Sequence, residues 1–169
     1  MTKKLKGRAY RQAGFTLIEL LVVIAIIGLL ATIVLVSLNS ARQKARDSRR
    51  VGDMRQIALA LEMYYDSNST TGYPGDAEAA TCDDWAAMVI ALELAPGYMT
   101  KVPSDPGGGS VAYAYNTGTN LADYVLRAQL ESATNAAFAT DVDGTALGCL
   151  CTDNGGVAPD TNRYYCIQP

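Results

Sequence analysis

The sequence predicts an α+β protein. One long N-terminal helix, membrane-spanning in its lower half and amphipathic in its upper half, packs against a small antiparallel sheet with a disulfide-stapled C-terminal region. Three observations carry this. Residues 15–41 read FTLIELLVVIAIIGLLATIVLVSLNSA, with Glu19 the one charge among them. Residues 40–67 then continue without a proline and space apolar side chains by three and four. Beyond residue 110, alternating runs flank a polar turn, and all four cysteines lie past residue 80.

The apolar run exceeds the roughly 20 residues a helix needs to cross a bilayer, and a lone spanning segment pairs its backbone groups in lipid only as a helix. Residues 1–14 hold Lys3, Lys4, Lys6, Arg8 and Arg11 and no acid. The positive-inside rule places that leader in the cytoplasm and the remainder outside. A secretory signal has an apolar core of only about 7–15 residues. A plain anchor, for its part, has no use for Glu19. A carboxylate at membrane depth costs about 2.5–3.5 kcal/mol and marks function, and no cation follows it within the run. Cleavage between Gly14 and Phe15 would create an ammonium one helical turn before Glu19. That amine could pair with the glutamate of its own chain or of a neighbour.

The stretch Gly14-Phe15-Thr16-Leu17-Ile18-Glu19 behind a basic leader resembles the cleavage and methylation site of type IV pilins and type II secretion pseudopilins. The resemblance implies that a membrane aspartyl peptidase cuts after Gly14 and N-methylates Phe15, and that Glu19 registers subunits during assembly. It covers residues 14–74. Many pilins carry a proline within the apolar segment, where this chain reads Ile33-Val34-Leu35-Val36. Tyr64, Tyr65, Tyr73 and Pro74, with Val102-Pro103-Ser104-Asp105-Pro106, resemble the pseudopilin pattern. The cysteine-bearing, glycine-rich tail leans toward pilins.

The expected function is therefore a structural subunit of a type IV pilus or pilus-like filament, polymerised from the inner membrane. The alternative within the class is a major-pseudopilin-like subunit of a type II secretion system. Implied partners are further copies in a helical homopolymer, the prepilin peptidase, a membrane assembly platform with its ATPase motor, minor pilins or pseudopilins, and the bilayer before assembly. From another class, a monomeric single-span protein with a ligand-binding outer lobe would keep residues 1–14.

The net charge of -3 conceals a division. Residues 42–55 hold six Lys and Arg against Asp47 and Asp53, whereas residues 56–169 hold three basic and fourteen acidic side chains. The acidic distal part argues against nucleic acid, which wants positive charge on the contacting face. The basic stretch is expected to face lipid head groups, acidic neighbours or another subunit. With no histidine, a nucleophilic triad lacks its usual base, so the chain is not expected to be an enzyme. Asp83 and Asp84 are adjacent and read as a helix cap and surface residues.

Four segments follow: a removed leader (1–14), a transmembrane or filament-core helix (15–41), an amphipathic stem (42–68) and an extracytoplasmic α+β lobe (69–169). In the stem, Leu38, Ala41, Ala45 and Ser48 give way to Val51, Met54, Ile57, Ala58, Leu61 and Tyr65 as one apolar stripe. Turn formers and Pro74 end the helix. Asp83 or Asp84 would cap a short helix over residues 85–94, whose Trp85, Met88, Val89 and Leu92 share a face. Residues 111–116 and 124–130 alternate as strands around a turn, and residues 164–167 read as a last strand or an anchored tail.

Cys82, Cys149, Cys151 and Cys166 form an even set beyond the membrane segment, where export favours disulfides with three connectivities available. Cys149 and Cys151 are too close to pair with each other, so one should reach Cys166 and the other Cys82. A four-cysteine zinc site is the rival, but its paired ligands usually stand two to four residues apart. Calcium is a candidate ligand because some major pseudopilins bind it after their sheet, and Asp141, Asp143, Asp153 and Asp160 lie in the comparable region. The complete twelve-residue calcium loop is absent, and a solvated acidic turn is the competing reading.

Overall fold

The computed structural model describes residues 14–75, 82, 84–94, 97–107, 113–151 and 163–169. The chain forms two units, Met1–Ser40 and Ala41–Pro169, taken here one at a time. A helix, α1 (Leu17–Ser67), begins in the first and ends in the second.

In the first unit every described residue is exposed. The helix carries the one segment among the described residues long and apolar enough to cross a membrane. It continues unbroken through residues 33–36, which lack a proline.

The second unit has α1's upper part, α2 (Trp85–Glu93) and five strands: β1 (Ala114–Thr117), β2 (Tyr124–Gln129), β3 (Gly144–Ala146), β4 (Cys149–Cys151) and β5 (Tyr164–Ile167). β1, β2 and β5 form an antiparallel sheet in that order, with Tyr115 opposite Leu126 and Arg127 opposite Cys166. β3 and β4 form a separate hairpin. Period-two alternation separates the faces of the sheet. Tyr115, Tyr124, Leu126, Ala128 and Tyr165 belong to one core with Met54, Ile57 and Leu61 of α1 and Met88 and Leu92 of α2. Val125 and Cys166 belong to a second, smaller core with Ala146, Cys149 and Cys151. Every residue of β1 is buried, and Asn116, facing away from the first core, donates from Nδ2 to the Leu147 carbonyl at 2.5 Å.

α1 ends where Asn68 Nδ2 donates to the Tyr64 carbonyl (2.9 Å) and the Asn68 N–H donates to the same carbonyl (3.0 Å). Gly72 follows at φ +82°, where a Cβ would run into the Leu121 carbonyl oxygen. The next N–H, of Tyr73, donates to that oxygen at 2.8 Å. The turn between β1 and β2 thus fixes the exit of the stem, and the position needs glycine.

Several expectations need correction. Ala41, Ala45 and Ser48 are exposed and are not part of the inward stripe. Asp84 stands at the N-cap of α2 as expected, but its side chain makes no cap hydrogen bond; its carboxylate accepts from Thr117 Oγ1 at 3.3 Å. Asp83 lies outside the described residues, as do Val111 and Ala112 of the expected first strand. The β3–β4 hairpin and a 3-10 turn at Ala136–Ala139 were not foreseen. Strands of three residues are too short to show a period.

Candidate functional site

The first candidate is the start of α1. Thr16 precedes the helix, and its N–H and hydroxyl both donate to Glu19 Oε2 at 2.8 Å. Thr16 Oγ1 accepts from the Glu19 N–H at 3.3 Å. This reciprocal capping box uses the glutamate to satisfy a backbone donor that the helix start leaves open. Sequence reasoning weighed only an amine as a partner for Glu19, although Thr-x-x-Glu before an apolar run is the signature of the box. Gly14 and Phe15 lie just ahead, exposed, with open space around the Gly14 Cα.

The second candidate is the lower end of the lobe, which brings together charged residues from three segments. Arg50 of α1 donates from Nε to Asp105 Oδ1 (2.5 Å), from Nη1 to Asp47 Oδ1 (2.9 Å) and from Nη1 to Glu131 Oε1 (2.8 Å). Arg46 forms a two-pronged pair with the same Glu131, its Nε donating to Oε1 (2.7 Å) and its Nη2 to Oε2 (2.5 Å). Asp47, fully buried, accepts from the backbone N–H groups of Glu131 (2.8 Å) and Ser132 (2.9 Å). One turn up, Asp53 accepts from the Tyr113 hydroxyl at 2.7 Å.

Electrostatics follow from these contacts. The Arg46 hydrogen bond, then that of Arg50, holds the Glu131 carboxyl down at about 2, against the cost of burial. Burial opposes the charge of Arg50, but its hydrogen bonds to Asp105 and Glu131 outweigh that, so its pKa is raised. Burial and then the Asp53 hydrogen bond push the Tyr113 phenol up. These groups keep a fixed charge near neutrality and are suited to holding parts together rather than to exchanging protons.

The expectation that the whole basic stretch faces outward is thereby corrected. Arg50 is 4% exposed, and Asp47, Arg50, Met54, Ile57 and Leu61 continue one spacing of three and four. That spacing was the signal available for finding Asp47 and Arg50. Arg42, Lys44, Arg49 and Arg55 remain exposed.

Cys82 pairs with Cys149, and Cys151 with Cys166. The two bridges tie β4 to the segment before α2 and to β5, and leave no thiol available for zinc. Asp141 is half-buried and Asp143 exposed, just ahead of β3; Asp153 and Asp160 lie outside the described residues. Among the described residues, no group of three or more His, Cys, Asp or Glu side chains is arranged so that it could hold a metal ion.

A capping-box glutamate opening an exposed apolar helix, whose upper part seats a small antiparallel sheet, defines a pilin-like subunit. Residues 10–35 match the family described as prokaryotic N-terminal methylation motif. Three proteins named type II secretion system core protein G are similar. Those from Klebsiella pneumoniae and Aeromonas hydrophila are 37% and 36% identical, each over 58% of this chain and 71% and 69% of their own lengths. That from Pectobacterium carotovorum is 36% identical over 59% of this chain, which spans 64% of it. No solved structure matches. The chain belongs to the family of type II secretion system core protein G, and it is a pseudopilin-like structural subunit. Between the two filament readings, these relatives fall on the secretion side and not on that of the type IV pilus.

Proposed function

We propose that the chain is a pseudopilin of a type II protein secretion system. It is inserted in the inner membrane with residues 1–14 inside, cut after Gly14 and N-methylated at Phe15 by a prepilin peptidase. It then leaves the bilayer for a helical filament whose core is built from residues 15–41. An assembly platform, its ATPase motor and minor pseudopilins are the partners. The observation that carries this reading is Glu19. It caps its own helix through Thr16, yet stands at the mouth of an apolar segment that nothing in its unit covers. Lipid and a packed apolar core solvate those side chains alike, so hydrophobicity alone gives assembly no direction. A carboxylate meeting a neighbour's new amine supplies it.

Intact-protein mass spectrometry and sheared-filament yield test this in the native host. The mature chain is expected to begin at an N-methylated Phe15, and Gly14→Ala to retain the leader. Glu19→Ala should be inserted and cut normally while losing its filaments. A native chain that keeps Lys3 and Lys4, or normal filament yield from Glu19→Ala, would overturn the proposal.

A further inference from the structure

Past residue 41 the described lobe exposes few large apolar side chains, and four of them form two pairs at a spacing of four. Leu59 and Met63 on α1 are 65% and 51% exposed; Ile90 and Leu94, on and just after α2, are 57% and 62% exposed. Side chains four apart form the ridges by which helices interdigitate. Leu94 still belongs to such a ridge, since its N–H donates to the Ile90 carbonyl at 3.0 Å. Each row extends by one further position, through exposed Arg55 below Leu59 and exposed Ala86 below Ile90.

The two rows differ in shape and charge. Leu59 and Met63 line an open groove of about 420 Å³ whose other wall is Tyr98, Met99 and Lys101. Lys101 lines the groove and Arg55 lies one turn below Leu59 on α1; both are exposed, and neither forms a salt bridge among the described residues. The α2 row stands as a ridge with exposed Glu93 beside Leu94; one oxygen of that carboxylate accepts from the Val102 N–H at 2.7 Å, which leaves the other available to a cation. An apolar groove with cationic neighbours and an apolar ridge with an acidic neighbour are complementary in hydrophobicity and in sign.

We infer that the α2 ridge of one copy, Ile90 and Leu94, docks into the groove at Leu59 and Met63 of a second copy. The inference rests on the filament reading and assigns it a lobe-to-stem contact above the membrane segment. Because ridge and groove are different surfaces, the contact is head-to-tail. It leaves one unfilled ridge and one unfilled groove on any chain of copies, which is the condition for open-ended growth.

All cysteines of the chain are paired, so a short bis-maleimide reacts only with introduced thiols. Met63→Cys and epitope-tagged Leu94→Cys are co-expressed as full-length chains in the native host, and sheared filaments are treated with the reagent. The expected product is a mixed dimer carrying one tag, formed from the pair and from neither variant alone. Ile90→Lys should cut filament yield at least tenfold, with membrane-inserted chain and Trp85-reported unfolding temperature unchanged. Filaments that give no mixed dimer overturn the inference. So does a dimer from Met63→Cys alone, which would mean a symmetric contact, or a cross-link from Leu94→Cys to a protein of another mass. Failure of the unmodified chain to form any filament overturns the function and this contact together.

Discussion

Arg50 and Asp105 stand 55 residues apart in sequence, yet the Arg50 Nε–H points at Asp105 Oδ1 at 2.5 Å with both side chains nearly excluded from water. Asp105 belongs to the Val-Pro-x-Asp-Pro segment, so this pair fastens the approach to the sheet onto the stem. Asp47 and Glu131 complete the hydrogen bonding of the guanidinium.

Removing one member of a buried ion network strands its partners, which costs about 3–5 kcal/mol. Arg50→Met should therefore lower the unfolding temperature of the detergent-solubilised full chain strongly. Trp85, 5.7 Å from the Tyr113 ring and the one tryptophan, gives the fluorescence signal. Arg46, 37% exposed at its side chain, should lower that temperature much less as Arg46→Met, because water screens its charge. Equal effects from the two substitutions would show that burial is not what makes the network matter.

The Glu131 carboxyl is lowered from 4.5 to about 2 in the folded chain by Arg46 and Arg50. A depressed carboxylate contributes stability that is full above its unfolded value and fades as pH falls through its folded value. Lobe stability should thus decline on acidification from about pH 4.5 toward 2. Glu131→Gln should be less stable near neutrality and show a shallower decline in that window. Parallel acid unfolding curves for the two proteins would contradict this.

The disulfides close consecutive loops of very different length, with separations of 67 residues for Cys82–Cys149 and 15 for Cys151–Cys166. Chain entropy assigns them about 4.4 and about 3 kcal/mol. Replacing Cys82 and Cys149 together by Ser should destabilise the lobe more than replacing Cys151 and Cys166 together, by about 1 kcal/mol in urea unfolding. The reverse order would place the weight on the packing of β4 against β5.

Two glycines of the stem and its exit should respond in opposite directions. Gly72 has φ +82° and faces the Leu121 carbonyl, so Gly72→Ala should destabilise the lobe by more than about 1 kcal/mol. Gly52 lies mid-helix with open space beyond its Cα, so Gly52→Ala should stabilise by up to about 1 kcal/mol. Thermal unfolding of the two variants side by side decides it. A neutral Gly72→Ala would mean that the turn between β1 and β2 yields at little cost.

The sequence by itself determined what short-range pattern can encode. Its apolar run specified α1, the spacing of Met54, Ile57 and Leu61 its buried face, and alternation the strands β1 and β2. The residues around Gly14 and Glu19 carried the resemblance to the pilin class. Tertiary structure decided what depends on partners far along the chain. Asp47 and Arg50 read locally as charges on a solvated stem, and became core residues only because Asp105 and Glu131 arrive 55 and 81 residues later. Likewise Val125 of β2 and Cys166 of β5, on the sheet face turned away from α1, are buried only because the short β3–β4 hairpin packs there. A charge prefers water until enough partners replace its hydration, and a count of nearby residues along one chain cannot show whether they will.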